Sequence, residues 1–181
     1  DLHASLAPSE MCIRDRYIDK LDMPSMQGMD SILLSILDED TFFILDNQLS
    51  YLENVDHMID NLYSKGYVDD GFKERIRKRE EKSTMVFNES IAFPHTINYE
   101  NDEIVVSLGI IPEKAGENNQ RKLVFLVGLP EQTKDDTLLV KIYDEIIAIA
   151  NDKNTIEALS KVKSYKELIL HFTKENDIFD L

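Results

Sequence analysis

The sequence predicts one mixed α/β domain occupying most of a 181-residue chain. Three observations predict it. Apolar residues recur at helical spacing over residues 52–76. The pattern then changes to two near-continuous apolar runs, at 104–111 and 123–129. Helical spacing returns from Leu138 onward. Helices, then strands, then helices, in a chain long enough for one sizeable core, describe a single layered unit from about Asp40.

Each element carries its own signal. Thr41-Phe42-Phe43-Ile44-Leu45 reads as a strand closed by Asp46-Asn47. Leu52, Val55, Ile59 and Leu62 mark one helix face, with Gly66 where a C-terminal cap belongs. Asp69-Asp70 start a second helix that turns Phe72 and Ile76 inward and runs out near Glu81. Met85-Val86-Phe87 and Ile91-Ala92-Phe93 are short apolar segments around Asn88-Glu89-Ser90, and Pro94-His95 follows. Ile104 to Ile111 and Leu123 to Leu129 have the two-sided apolar character of interior strands, each ending at a proline, Pro112 and Pro130. The polar stretch between them, with Gly116, reads as a loop or hairpin turn. Leu138 to Ala150 is a helix with Leu139, Ile142, Ile146 and Ile149 as its stripe. Thr155 to Leu159 and Ser164 to Phe172 are two shorter helices, with Ser164 and Glu167 spaced as a capping box.

Before residue 41 the pattern is weak. Ser9-Glu10-Met11-Cys12-Ile13-Arg14-Asp15-Arg16 resembles translated sequencing-adaptor readthrough. Residues 1–16 are therefore read as a non-native segment in which Cys12 carries no meaning, and the chain as a fragment of a longer protein. Residues 17–40, with Met23, Pro24, Ser25, Gln27 and Gly28, read as a linker, and residues 41–181 as the domain.

Composition narrows the function classes. No apolar run approaches the length of about 18 residues that a membrane span needs, and Leu2 to Leu6 is too short for a signal peptide, so no membrane insertion is expected. One cysteine rules out a disulfide framework and a cysteine-based metal site, which places the chain in a reducing cytoplasm. The formal net charge of −15 repels phosphate backbones and argues against direct binding of nucleic acid. The basic run Arg75-Ile76-Arg77-Lys78-Arg79 reads mostly as the last turn of a helix, where cations complement the dipole. One arginine from it could still serve an anionic ligand.

There are four histidines, His3, His57, His95 and His171. No two stand at metal-ligand spacing, and Glu167 with His171 is too small a set for a structural ion, so neither a metal nor another cofactor is expected. His57 and His171 read as solvated helix-face residues. His95 differs because it follows Ile91-Ala92-Phe93-Pro94. The proline fixes its own backbone angle and biases Phe93 to an extended shape, which holds the imidazole at a strand end on a stiffened backbone. Upstream lie Arg79, Ser83 and Thr84. Those groups suit a phosphoryl acceptor: neutral imidazole is the nucleophile, while the guanidinium and hydroxyls hold the phosphoryl oxygens. Taken alone, a Pro-His at a strand end is more often structural than catalytic.

A wider pattern raises the weight of His95. Gly66-Tyr67-Val68, Arg79-Glu80, Ser83-Thr84 and Asn88-Glu89-Ser90-Ile91-Ala92-Phe93-Pro94-His95 resemble the enzyme IIA domain of the fructose–mannitol class of the bacterial sugar phosphotransferase system, from about Thr41 to about Leu170. The resemblance implies a mixed β-sheet with helices on its faces, His95 as the phosphorylated histidine and Arg79 beside it. It implies the histidine-containing phosphocarrier protein as donor. The acceptor is then either a IIB domain of a sugar transporter or the regulator domains of the same chain. Two positions depart from the family: Asn88 stands where glycine is usual, and Leu139 occupies the place of a second active-site histidine. The resemblance fits the C-terminal regulatory domain of a sugar-operon transcription regulator or antiterminator, or a stand-alone transport carrier. The truncated start, the linker-like leader and the missing histidine favour the regulator. A degenerate, partner-binding domain is disfavoured by the intact Pro-His and Arg79.

Overall fold

The computed structural model describes residues 31–87, 89–114, 121–132 and 136–179. The segment 1–16 with His3 and Cys12, most of the stretch 17–40, Asn88 and Gly116 lie outside these residues. In chain order the elements are α1 (Ile32–Ile36), a 3₁₀ turn (Glu39–Thr41), β1 (Phe42–Ile44), α2 (Tyr51–Ser64) and α3 (Phe72–Lys82). There follow β2 (Ile91–Ala92), β3 (His95–Asn98), β4 (Val105–Ile110) and β5 (Leu123–Pro130), then α4 (Thr137–Ala150), α5 (Lys153–Ser160) and α6 (Tyr165–Phe179).

The strands form one mixed sheet in the order β1-β4-β5-β2, with β3 also on the β2 edge of β5. β4 and β5 are antiparallel and interior; β1, β2 and β3 pair in parallel. Side chains alternate across β5. Leu123, Phe125 and Val127 join a cluster with Leu33 of α1, Ile142 of α4, Ile156 of α5 and Leu168 of α6. Val124 and Leu126 join Val55 and Met58 of α2 and Phe72 and Ile76 of α3 on the opposite face. Helices thus cover both faces, which explains why the two interior runs are near-continuously apolar. This is the α/β architecture the sequence predicts.

Local signals account for the helix ends. Ser50 and Glu53 form a reciprocal capping box at the start of α2. At its end Gly66 takes φ +80, Gly66 N–H donates to Tyr63 O and Tyr67 N–H to Leu62 O, the Schellman arrangement that only a residue free of a β-carbon enters readily.

Three expectations need correction. Residues 31–40 are not connecting chain: Leu33, Leu34 and Leu37 are buried, each worth roughly 1.5–3 kcal/mol of apolar burial, and the domain begins before Thr41. The stripe of α4 starts at Leu138, which is buried, whereas Leu139 is only partly so. His171 does not face solvent; it is partly buried, with its ring edge-on to Phe172.

Candidate functional site

β2 and β3 are one edge strand broken in the middle. Ala92 pairs with Val124 and His95 with Val127, so the register runs through Phe93-Pro94 unchanged. Proline has no N–H to give the ladder, and the break falls there. Pro94 O still accepts from Val127 N–H at 3.0 Å. His95 therefore opens β3, rather than ending a strand, and is held on both sides of the break.

Its ring is fixed further. The imidazole stacks on Phe93 with centroids 4.7 Å apart, and His95 N–H points at Met85 Sδ at 3.4 Å. Nδ1 lies 2.9 Å from the Phe93 carbonyl oxygen. A carbonyl only accepts, so in the neutral ring Nδ1 carries the proton and Nε2 keeps the lone pair. Burial pushes the His95 pKa down. The Phe93 carbonyl opposes this and the Arg79 charge adds to it, so the ring is held below its usual range.

An open cleft of about 430 Å³ lies before the ring, lined by Arg79, Lys82, Ser83, Thr84, Met85, Val86, Phe87, Phe93 and His95. The structure brings four of the five residues that the sequence singled out to this cleft, His95, Arg79, Ser83 and Thr84; the fifth, Leu139, is not among its lining residues. Arg79 and Lys82 come from the last turn of α3, and Ser83 is its C-cap. The basic run divides by function. Arg75 pairs with Asp69, Arg77 with Asp56 and Lys78 with Glu74. Among the described residues Arg79 has no carboxylate partner, so its charge is available to an anion in the cleft. Its neighbour Glu80 faces elsewhere and accepts from Tyr51 OH at 2.9 Å, tying α3 to α2.

Leu139 packs, partly buried, against the core. One helical turn further along the same face, Tyr143 sets its ring edge-on to His95 with centroids 6.3 Å apart. Sequence reading passed over Tyr143, Lys82, Met85 and Phe87. Lys82 was accessible to it, standing three positions from Arg79 and so on the same helix face.

The sequence matches the family described as "Phosphoenolpyruvate-dependent sugar phosphotransferase system, EIIA 2" over residues 35–175. The chain belongs to this family. It is 31% identical over 120 residues, 64% of this chain and 80% of the relative, to the mannitol-specific phosphotransferase enzyme IIA component of Bacillus subtilis (strain 168). Two solved structures share the fold. The nitrogen regulatory protein IIA-Ntr from Neisseria meningitidis has TM-score 0.61 and 15% identity, over 78% of this chain and 99% of that one. The enzyme IIA of the complex of IIAMTL with phosphorylated IIBMTL from Escherichia coli has TM-score 0.55 and 17% identity, over 76% and 97%. The match begins at residue 35, within α1, and takes in the 3₁₀ turn. Among the described residues no helix is long and apolar enough to cross a membrane.

Proposed function

We propose that this IIA domain accepts a phosphoryl group on Nε2 of His95 from the histidine-containing phosphocarrier protein. The observation that carries the reading is the Nδ1 contact to the Phe93 carbonyl, which leaves the Nε2 lone pair free on a ring otherwise held in place. In the transfer the phosphorus–nitrogen bond to the donor imidazole breaks as the bond to Nε2 forms. The donor ring departs with the electron pair. Positive charge develops on the His95 ring, and the Phe93 carbonyl stabilises it through Nδ1–H. Arg79 answers the charge on the phosphoryl oxygens, with the Ser83 and Thr84 hydroxyls as further donors. The setting is the cytoplasm, where such carrier proteins meet.

The use made of the phosphoryl group has two readings. As the regulatory domain of a sugar-responsive transcription regulator, the domain reports transport activity. Leu139, standing by alignment where several members of the family carry a second histidine, supports this. As a stand-alone carrier, it passes the group to a IIB cysteine. The likeness to a mannitol-specific IIA component, and to a IIA solved with its phosphorylated IIB, supports that reading and points to a mannitol-type system.

Incubation with the phosphorylated carrier protein tests the central step. One acid-labile, base-stable phosphoryl group should form. His95→Ala should remove it entirely, and undiminished labelling of that variant would falsify the assignment. Arg79→Ala keeps the nucleophile and loses charge stabilisation, so labelling should slow by up to about 10²-fold. Transfer from the labelled domain to a purified IIB partner separates carrier from regulator.

A further inference from the structure

The buried stripe of α4, Leu138, Ile142, Ile146 and Ile149, faces the sheet, and Tyr143 stands one position off it, partly buried. Its ring meets Phe93 edge-on, with centroids 5.1 Å apart and planes at 89°, and His95 at 6.3 Å and 71°. With the Phe93–His95 stack, three rings pack in one contiguous group. Packing accounts for the ring and leaves the hydroxyl unexplained, since phenylalanine would fill the same space. Among the described residues the phenol has no hydrogen-bond partner. Burial pushes its pKa up and the Arg79 charge pulls the other way, so the phenol stays protonated at neutral pH and lies within electrostatic reach of the guanidinium that also acts on His95.

We propose that Tyr143 is a further catalytic residue, whose hydroxyl donates a hydrogen bond to a non-bridging oxygen of the phosphoryl group carried by His95. His95, Arg79 and Tyr143 then approach that group from three elements, β3, α3 and α4. The phenol proton is shared and not transferred, so the atoms and charges of the transfer are unchanged. A hydrogen bond from the phenol strengthens as charge gathers on the phosphoryl oxygens, and it lowers the barrier in both directions of transfer. This inference rests on reading His95 as the acceptor.

Tyr143→Phe keeps the ring packing and removes only the hydroxyl. Labelling rates would be measured for both proteins with two donors, the phosphorylated carrier protein and phosphoramidate. The expected result is a loss on the order of 10-fold with both donors, as for one lost hydrogen bond to a charged group. The His95 ring resonances should be unchanged and the phosphohistidine ³¹P resonance displaced. Wild-type rates in Tyr143→Phe with an unshifted ³¹P resonance would overturn the inference and leave the acceptor reading intact. A loss confined to the carrier protein would also overturn it, since the hydroxyl would then touch the partner and not the phosphoryl group. Failure of the wild-type protein to label with either donor would remove both.

Discussion

His95 reacts through a lone pair that protonation removes, so its pKa sets the acid limit of phosphoryl acceptance. Burial and the Arg79 charge both disfavour the imidazolium, and the folded value lies below the usual one of about 6.5. Acceptance should therefore be flat at neutral pH and fall only below about 6.5. NMR titration of the His95 ring should show the same midpoint, which Arg79→Gln should move upward. A midpoint above the usual imidazole value would show that a carboxylate, and not Arg79, governs the ring. The same depression means that stability from the neutral ring is present above the unfolded value and declines as pH falls through the folded one. His95 and its proline were legible because two chemically distinctive residues are adjacent in the chain. Arg79 was legible through the family pattern, whereas the basic run taken alone does not set it apart, because Arg75, Arg77 and Lys78 are distinguished from it only by carboxylates that the fold brings to them. Tyr143 was hidden for a similar reason: an aromatic one position off an apolar stripe looks like ordinary packing until β3 is placed beneath it.

β4 has two unlike faces. Val106, Leu108 and Ile110 are bulky and enter one core cluster. Ser107 and Gly109 face the other way, Ser107 Oγ–H donating to Thr41 O at 2.9 Å. The small side lets α2 lie close: a β-carbon on Gly109 would stand 2.5 Å from Leu45 Cδ1 and 2.8 Å from Met58 Sδ. Both neighbours are buried, so Gly109→Ala should cost about 1–3 kcal/mol. The midpoint of chemical denaturation reads this directly; a loss below about 0.5 kcal/mol would mean that α2 shifts freely. The strand itself was plain in the sequence, since burial on both faces leaves a near-continuous apolar run, interrupted only by Ser107 and Gly109. α1 was not, because five residues are too few to display a period. The edge strand was misread because proline splits its hydrogen bonding while leaving its register intact.

α1 is held to the rest of the domain from far along the chain. Glu145 of α4 accepts from Ser31 Oγ, from Ile32 N–H at 2.7 Å and from Leu33 N–H at 3.1 Å. A carboxylate from one helix thus caps the N-terminus of another and meets its dipole, although burial pushes the Glu145 pKa up. Glu145→Ala leaves those two backbone donors without their acceptor. Their amide hydrogens should exchange about 10-fold faster or more, while exchange in β4 and β5 stays as it was. Equal protection of Ile32 and Leu33 in the variant would show that apolar packing alone holds α1. No sequence signal links positions 113 residues apart, so the place of α1 in the domain emerged only from packing.

A reactive side chain on a sheet edge poses a problem of self-association, because an open edge offers unpaired backbone groups to any other extended chain. Here the backbone around His95 is already engaged. Phe87 N–H donates to Ile91 O and Phe93 N–H to Met85 O, Pro94 has no donor to offer, and Arg75 Nε donates to Ile97 O. The imidazole remains open to the cleft while the strand that bears it presents little for another strand to join. The proline that aims the nucleophile thereby also guards the edge against aggregation, so replacing it for catalytic reasons would affect solubility as well.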